Sequence, residues 1–328
     1  MKKRAFGILI VFALPVALFL LFSLIAPGFG MHSLRVVINQ AMLPTAIGCG
    51  MAFIMQCGLS DFTAGCRVIG AAAVGALFAA KFGFIDFILG CIVGSLLMAV
   101  VAALLYRYLR IPSMVVGLGF VLIGEIFAFG IGALYGNYTN LFIDDPIADV
   151  FAYPFNILWS LGAAAFLYVI MYRTRIGFHI SSVGSDEVLA QSQGVVPSRV
   201  KTIAYLLSAV PLTVAACLQI SLSGILTVQT NMTTMNLVFE PIMGVVIGTQ
   251  LVRLCNNLPL MIVIGEVCLT IIFNGLIACG LPDSAQNVAL GLFMFAVLGV
   301  SGNVNRISEH FRRQRVRKTG SSFYDAAA

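Results

Sequence analysis

The chain has 328 residues, of which 60% are hydrophobic and only 10% are charged, and its mean hydropathy is +1.02. Soluble domains carry about 25% charged residues, so this composition excludes a soluble domain and indicates a polytopic membrane protein. The net charge of +6 does not point to nucleic acid as a partner. The basic residues lie in short loops and at the C-terminus, where they orient a membrane protein.

Ten apolar segments have lengths that suit helices crossing a bilayer. They cover residues 5–26, 36–57, 66–80, 84–106, 113–135, 155–172, 202–222, 236–252, 258–279 and 285–301. The first follows Lys2, Lys3 and Arg4, and we expect it to be a retained span, because roughly 22 apolar residues suffice to cross a bilayer. The third is short and residues 223–235 are ambiguous, so nine or eleven helices are also compatible with the sequence.

Basic residues predict the orientation of these helices. If the N-terminus is cytoplasmic, all nineteen basic residues except Arg35 and Lys81 fall on or toward the cytoplasmic side. The positive-inside rule then favours an even number of helices with both termini in the cytoplasm. We therefore expect an all-α membrane domain over residues 1–304, with about ten helices in two related halves. A basic cytoplasmic tail, expected to be flexible, follows over residues 305–328.

A polar, basic stretch separates two of the apolar segments. It covers residues 173–201, RTRIGFHISSVGSDEVLAQSQGVVPSRVK, and must lie in water on one side of the bilayer. Ser185 can cap the N-terminus of a short helix there, Asp186 and Glu187 suit its first turn, and Gly194 can end it. A short capped helix that projects from a membrane domain is suited to binding a cytoplasmic partner.

Two regions interrupt the apolar pattern in roughly corresponding places of the two halves. They are residues 57–65, CGLSDFTAG, and residues 229–240, QTNMTTMNLVFE. Irregular backbone at membrane depth is tolerated where it lines a cavity or is buried in protein. Paired interruptions of this kind indicate a transport pathway, although each is also compatible with a plain turn exposed to water. A membrane scaffold without transport would not explain the pair.

Three glutamates, Glu125, Glu240 and Glu266, fall within apolar segments. An ionised carboxylate near the centre of a membrane helix costs about 2.5–3.5 kcal/mol on insertion scales. Each acid therefore has either a structural hydrogen bond or a function, and the alternative hypothesis is a proton-coupled secondary transporter that uses them. The chain has no phosphate-binding loop, dinucleotide fingerprint or nucleophile elbow, and its Cys and His spacings predict no metal site, so we do not expect an enzyme.

Short motifs in the polar stretch resemble a known family. They are TRIG at 174–177, VGSDE at 183–187, AQSQGV at 190–195 and VK at 200–201. Permeases of bacterial ribose/galactose-type ABC importers typically show T-R-x-G, V-G-G-N-x-x-A-A-x-x-S-G-I and V-K in this order. GLSD at 58–61, with Gly65, is similar to their G-I-D-L-S-V-G-S break, and IPS at 111–113 is similar to their P-S-F-I-V-T-L-G segment. These anchors keep the family's order over about residues 40–302.

The resemblance implies the transmembrane permease of an importer for a monosaccharide or a sugar-like solute. Two copies of this chain, or this chain and a homologue, would surround a central path in the bacterial inner membrane. A separate cytoplasmic ATPase would hold ATP and magnesium and grip the short helix, while this chain would bind no cofactor. A periplasmic or extracellular binding protein would deliver the solute. The helix implied to couple to the ATPase contains Ser185, Asp186, Glu187, Ala190, Gln191 and Gly194.

Two departures from the family pattern lie near the expected path. The family's acid–Leu–Ser order becomes Leu59-Ser60-Asp61, and residues 247–257 lack its G-G-T-S-x-x-G-G run. These departures leave the solute open among sugars, polyols, nucleosides and furanose signals. The two interruptions and their flanks predict five residues lining a sparsely polar path, Gln56, Ser60, Asp61, Asn231 and Thr249, and three apolar gates, Met55, Phe62 and Phe239.

Overall fold

The computed structural model describes the following part of the chain: residues 2–280 except 27, 110, 137–139, 143–148 and 253–254, together with residues 288, 291–292 and 295. Residues 1–280 form one unit and residues 281–328 form a second. Of the predicted segment 285–301, only the four helical positions just given are described. The predicted tail, 305–328, lies outside the described residues.

The apolar segments form helices whose bounds agree closely with the prediction. The described residues contain eleven α-helices: α1 (Lys2–Ile25), α2 (Met31–Met55), α3 (Ala64–Phe82), α4 (Phe84–Leu109), α5 (Ser113–Tyr135), α6 (Phe155–Arg173), α7 (Arg175–Ser185), α8 (Glu187–Ser192), α9 (Pro197–Ser223), α10 (Asn236–Leu251) and α11 (Leu258–Ala278). The clearest differences are at the starts of α2 and α9, each five residues earlier than predicted. Pro197 suits the first turn of α9, where a backbone N–H has no helical partner in any case.

Six of the described helices are long and apolar enough to cross a membrane, namely α2, α4, α5, α6, α9 and α11. Shorter apolar helical stretches cover Val11–Ile25 in α1 and Ala64–Ala80 in α3. Large apolar side chains such as Leu97 on α4 and Ile123 on α5 are exposed on the outside of the bundle, as expected where lipid surrounds it. The chain is a multi-pass membrane protein, and the total of ten helices and the cytoplasmic termini stay predictions.

Two groups of connections define the ends of the bundle. At the strand end, β1 (Asn140–Phe142) follows α5 and pairs antiparallel with β2 (Ile225–Thr227), which follows α9. At the α7–α8 end, these two short helices connect α6 to α9. Gly184 of α7 packs there against the Gln56 carbonyl, directly after α2, where a side chain would not fit. The connection between α2 and α3, residues 56–63, therefore lies at the α7–α8 end.

Close helix contacts tie α3, α4 and α9 together. A Cβ atom added to Gly94 of α4 would lie 2.9 Å from the Ala71 Cα of α3, so these two backbones are in contact. Small residues permit such approach in lipid, where packing and hydrogen bonds replace the hydrophobic drive between helices. One such bond joins α4 to α9, because the Ser95 hydroxyl donates to the Ala209 carbonyl at 2.8 Å.

After β2 the chain turns back into the bundle before α10 begins. The Met232 N–H donates to Glu125 Oε2 at 2.8 Å, and the N–H and hydroxyl of Thr234 donate to Glu125 Oε1 at 2.9 and 2.8 Å. Glu125 lies near the middle of α5 and is only 1% exposed. Gly65 of α3 packs against the Thr234 carbonyl from another side. In this re-entrant segment, residues 228–235, Val228 and Thr234 are therefore buried in protein, whereas residues 229–231 are exposed, and α10 begins directly after it.

Replacing Glu125 with alanine should strongly destabilise the fold. The change leaves three donors, two of them backbone N–H groups, without their acceptor, and the two on Thr234 are buried. We expect the free energy of unfolding to fall by at least about 3 kcal/mol. Thr234→Val removes only the hydroxyl and should cost about 1 kcal/mol. Denaturant unfolding of the purified protein in detergent measures both variants, and equal small losses would contradict the role assigned to Glu125.

Candidate functional site

The polar stretch folds into two consecutive helices at the α7–α8 end. Asp186 caps α8, because its Oδ1 accepts hydrogen bonds from the N–H groups of Val188 and Leu189 at 2.9 and 3.0 Å. The predicted cap, Ser185, was wrong by one residue. Ser185 ends α7, and its hydroxyl donates to the Ser181 carbonyl at 2.8 Å. A carboxylate accepts two N–H groups at once, which makes Asp186 the stronger cap.

Gly194 ends the α8 region as predicted. It has a φ of +85°, follows Gln193, and donates its N–H to the Gln191 carbonyl at 3.0 Å. Glycine adopts this left-handed conformation without the steric cost that a Cβ atom imposes. The Val195 N–H then donates to the Ala190 carbonyl at 3.1 Å. These bonds close the short helix on itself and fix the turn that leads into α9.

One face of α8 packs on the bundle and the other is open. Ala190 is 2% exposed, whereas Val188 and Leu189 are 77% and 56% exposed. Gln191 is exposed as well. Val188 and Leu189 thus form a small exposed apolar surface on a helix outside the apolar spans. The sequence predicted the helix but not this apolar pair, which is recognisable only once the buried side of α8 is known.

An ion pair ties α8 to the bundle. Lys201 Nζ of α9 lies 2.7 Å from Glu187 Oε2 and 3.5 Å from the Tyr106 hydroxyl of α4. The Lys201 side chain is 9% exposed and that of Glu187 is 54% exposed. The pair borders an open cavity of about 760 Å³, whose lining residues are Tyr106, Arg107, Tyr108, Ile111, Glu187, Ser198 and Lys201. Glu187 was predicted for α8, whereas its partner Lys201 was not predicted as a site residue.

Aromatic contacts continue from Lys201 into the bundle. The Tyr106 ring centroid lies 6.1 Å from that of Tyr205 on α9. Arg67 Nη2 of α3 donates to the Tyr205 carbonyl at 3.3 Å and to the Ser208 hydroxyl at 2.8 Å. The contacts between side chains thus extend from α8, at the surface, to the fully buried guanidinium of Arg67.

Arg67 is paired with Asp61, which corrects two predictions. Its Nη1 lies 3.8 Å from Asp61 Oδ2, and both side chains are fully buried. Asp61 Oδ1 accepts from the N–H and hydroxyl of Thr63 at 2.9 and 2.6 Å. Asp61 therefore does not line an open path, and Arg67 is not a surface charge that orients the chain. A buried charge needs a partner, and the turn before α3 supplies it.

The five residues predicted to line a path are only partly brought together. Gln56 and Thr249 line a common cavity of about 340 Å³, whose other lining residues are Met171, Tyr172, Ser181, Val252, Asn256 and Leu258. Ser60 is exposed elsewhere, and its N–H donates to the Ser113 hydroxyl at 3.3 Å. Asn231 is exposed on the re-entrant segment with a φ of +76°. The five residues lie in or near the two interruptions of the sequence, but the fold does not place them on one common surface.

The three predicted gates occupy different environments. Met55 and Phe62 pack against the apolar core, and the Phe62 side chain lies against Gly117 of α5. Phe239 is 38% exposed on α10. In this conformation Met55 and Phe62 therefore act as packing residues, and Phe239 is the gate candidate that reaches the surface.

The three intramembrane acids also differ. Glu125 accepts the hydrogen bonds of the re-entrant segment. Glu240 lies with its Oε1 3.3 Å from the Thr270 hydroxyl. Glu266 is fully buried, and its carboxylate fills the space left by Gly244 and Gly48. Within the part of the chain that the structure describes, neither Glu266 oxygen has a hydrogen-bond partner.

Comparison with known proteins decides the family. The family model described as "Branched-chain amino acid transport system / permease component" matches residues 33–298. The chain belongs to this permease family. The permease is 30% identical over 191 residues to the xylose/arabinose import permease protein XylH of Sulfolobus acidocaldarius, and the match covers 57% of this chain and 53% of that protein. The chain thus spans about half the length of this curated relative.

These matches confirm the resemblance to permeases of monosaccharide ABC importers. Among solved structures, the permease is similar to a metal-chelate type ABC transporter in an inward-facing conformation. The identity is 15%, the TM-score is 0.45, and the alignment covers 90% of this chain and 98% of that chain.

Proposed function

We propose that this permease is the transmembrane subunit of a binding-protein-dependent ABC importer for a pentose or a similar monosaccharide. Family membership supports the importer class, and the name of the relative, a xylose/arabinose import permease, supports a pentose. The structural observation that carries the proposal is α8, which exposes two apolar side chains and is tied to two membrane helices through Lys201.

In this proposal the energy of transport comes from ATP and magnesium held by a separate ATPase subunit. The ATPase docks on Val188 and Leu189, and its movement shifts α8. Because Glu187 binds Lys201, the shift reaches α9 and, through Tyr106, α4. Rearrangement of these helices then opens the path between two permease copies. ATP hydrolysis on the partner explains how the permease drives transport without phosphate-binding chemistry of its own.

The same proposal assigns the two ends of the bundle to the two sides of the membrane. The α7–α8 end faces the cytoplasm, where the basic residues of the 173–201 stretch satisfy the positive-inside rule. The strand end faces outward and receives the soluble binding protein, which holds most of the affinity for the sugar. The relative is archaeal, whereas the sequence motifs resemble bacterial permeases. We therefore assign the permease to the cytoplasmic membrane, which both kinds of organism have and which is the inner membrane in a bacterium.

Reconstitution tests the function. We expect liposomes that contain the permease and its partner ATPase, supplied with the binding protein and ATP, to take up xylose, arabinose or ribose. Omission of the ATPase should lower uptake at least tenfold. Uptake by the permease alone, driven by a proton gradient and reduced by Glu240→Gln or Glu266→Gln, would instead establish the proton-coupled alternative and contradict the proposal.

The Glu187–Lys201 pair provides a second test, specific to coupling. Glu187→Gln and Lys201→Met should each raise the ATP hydrolysed per sugar transported by about two- to tenfold, because α8 then moves without carrying α9. The exchanged pair, Glu187→Lys with Lys201→Glu, should recover part of the coupling. Arg199→Met, which removes an exposed charge of the same sign two residues away, serves as the control. A normal ratio in both single variants would refute the role of the pair.

A further inference from the structure

Polar side chains from three helices meet on one side of the bundle. Asn274 Nδ2 of α11 donates to Gln40 Oε1 of α2 at 2.7 Å and to the Thr270 carbonyl at 2.9 Å. The Thr270 hydroxyl lies 3.3 Å from Oε1 of Glu240 on α10. Gln40, Asn274, Thr270 and Glu240 together are called the polar stripe below. These contacts link polar groups of α2, α10 and α11 in one row, in which the buried Thr270 joins the other three residues.

The polar stripe keeps hydrogen-bonding capacity that its members do not use on one another. Thr270 has a single hydroxyl proton, and the shorter bond, 2.9 Å to the Glu266 carbonyl, takes it. The Glu240 carboxylate therefore keeps acceptor capacity for a donor from outside. Gln40 is exposed, and Glu240 and Asn274 are half-buried. These groups are thus accessible at the surface of the described bundle.

The stripe lies at membrane depth. Gln40 comes nine residues after the start of α2, which is roughly 14 Å along the helix. Glu240 is in the first turns of α10, directly after the re-entrant segment that Glu125 holds in the interior. Amide and carboxylate groups that face hydrocarbon are costly. This surface therefore meets a polar occupant rather than lipid tails.

A neighbouring amide pair shows the contrast with a purely structural contact. Asn156 Nδ2 of α6 donates to Asn39 Oδ1 at 2.5 Å, and Asn156 is fully buried. Asn39 and Gln40 are consecutive in α2, so their side chains point in directions about 100° apart. Asn39 joins α2 to α6 inside the bundle, whereas Gln40 carries its amide to the stripe.

We propose that the polar stripe binds the hydroxyl groups of the sugar as it passes through the membrane, an inference that rests on the proposed function. A sugar that leaves water loses hydrogen bonds that each cost several kcal/mol if nothing replaces them. A hydroxyl both donates and accepts, an amide does the same, and a carboxylate accepts from two neighbouring hydroxyls. The stripe extends from Gln40 to Glu240 at mid-depth, so successive hydroxyls exchange water for protein partners.

A comparison of a sugar with its deoxy form tests this contact. The full complex in liposomes is supplied with whichever of xylose, arabinose and ribose the wild type takes up fastest, and with the 2-deoxy form of that sugar. Gln40→Ala, Asn274→Ala and Glu240→Gln should each lower uptake of the intact sugar about 3- to 10-fold, the loss of one net hydrogen bond. At least one variant should affect the deoxy sugar less, since protein and ligand changes at one contact are not additive.

Asn39→Ala is the matched control and should lower uptake of both sugars by the same factor, if at all. If the stripe variants change uptake of the two sugars by the same factor, as this control does, while the wild type transports sugar, the polar stripe does not bind the sugar. The proposed function would still stand. Equal losses for the two sugars, together with dissociation of the permease dimer in light scattering, would make the stripe a contact between copies. A wild-type complex that takes up none of the three pentoses would refute the pentose assignment, and the stripe with it.

Discussion

The structure depends on a constraint that water-soluble proteins do not face. A backbone that leaves helical geometry at membrane depth must find partners for its N–H groups within the protein. Glu125 meets that demand, because its two oxygens accept the N–H groups of Met232 and Thr234. The carboxylate holds Met232 and Thr234 of the re-entrant segment against α5, and α10 begins directly after them. The positions of Phe239 and Glu240, and thus of the α10 end of the polar stripe, follow from where α10 starts.

The same need of buried polar groups for partners connects α8, at the surface, to the interior. Buried charges need partners, and here the partners come from another helix or from the turn before α3. Lys201 meets Glu187 of α8 and lies beside Tyr106 of α4, while Arg67 of α3 donates to α9 and faces Asp61. The Arg67–Asp61 separation of 3.8 Å is longer than a hydrogen bond, so a modest helix movement would change this pair.

The sequence predicted most of the fold because apolar length and flanking polarity are local properties. The bounds of α4, α5 and α6 agree with the prediction to within three residues at each end. The α8 helix was predicted from its acidic first turn and Gly194, although the cap proved to be Asp186. Ser185 and Asp186 are neighbouring candidates for the cap of α8. Which of them caps it depends on where α7 ends, and the packing of α7 determines that end.

The functional details required contacts that span long distances in sequence. Arg67 resembled an orienting surface charge and Asp61 a path residue, but the structure buries both and pairs them with each other. Glu125 appeared as a costly acid because the N–H groups that donate to it lie more than a hundred residues away in sequence. Gln40 and Asn274 carried no motif, and only the packing of α2 on α11 brings them together. Local patterns give the elements of this permease, but helix packing gives its polar sites.

The placement of α8 against an ATPase is the centre of the account, and cross-linking measures it directly. A photoactivatable group attached to Gln191→Cys, in a permease whose own cysteines are replaced, lies on the exposed part of α8. It should cross-link to the ATPase subunit in membranes. The same group on Ile225→Cys at the strand end should not. Cross-linking of the ATPase from Ile225→Cys and not from Gln191→Cys would contradict the account.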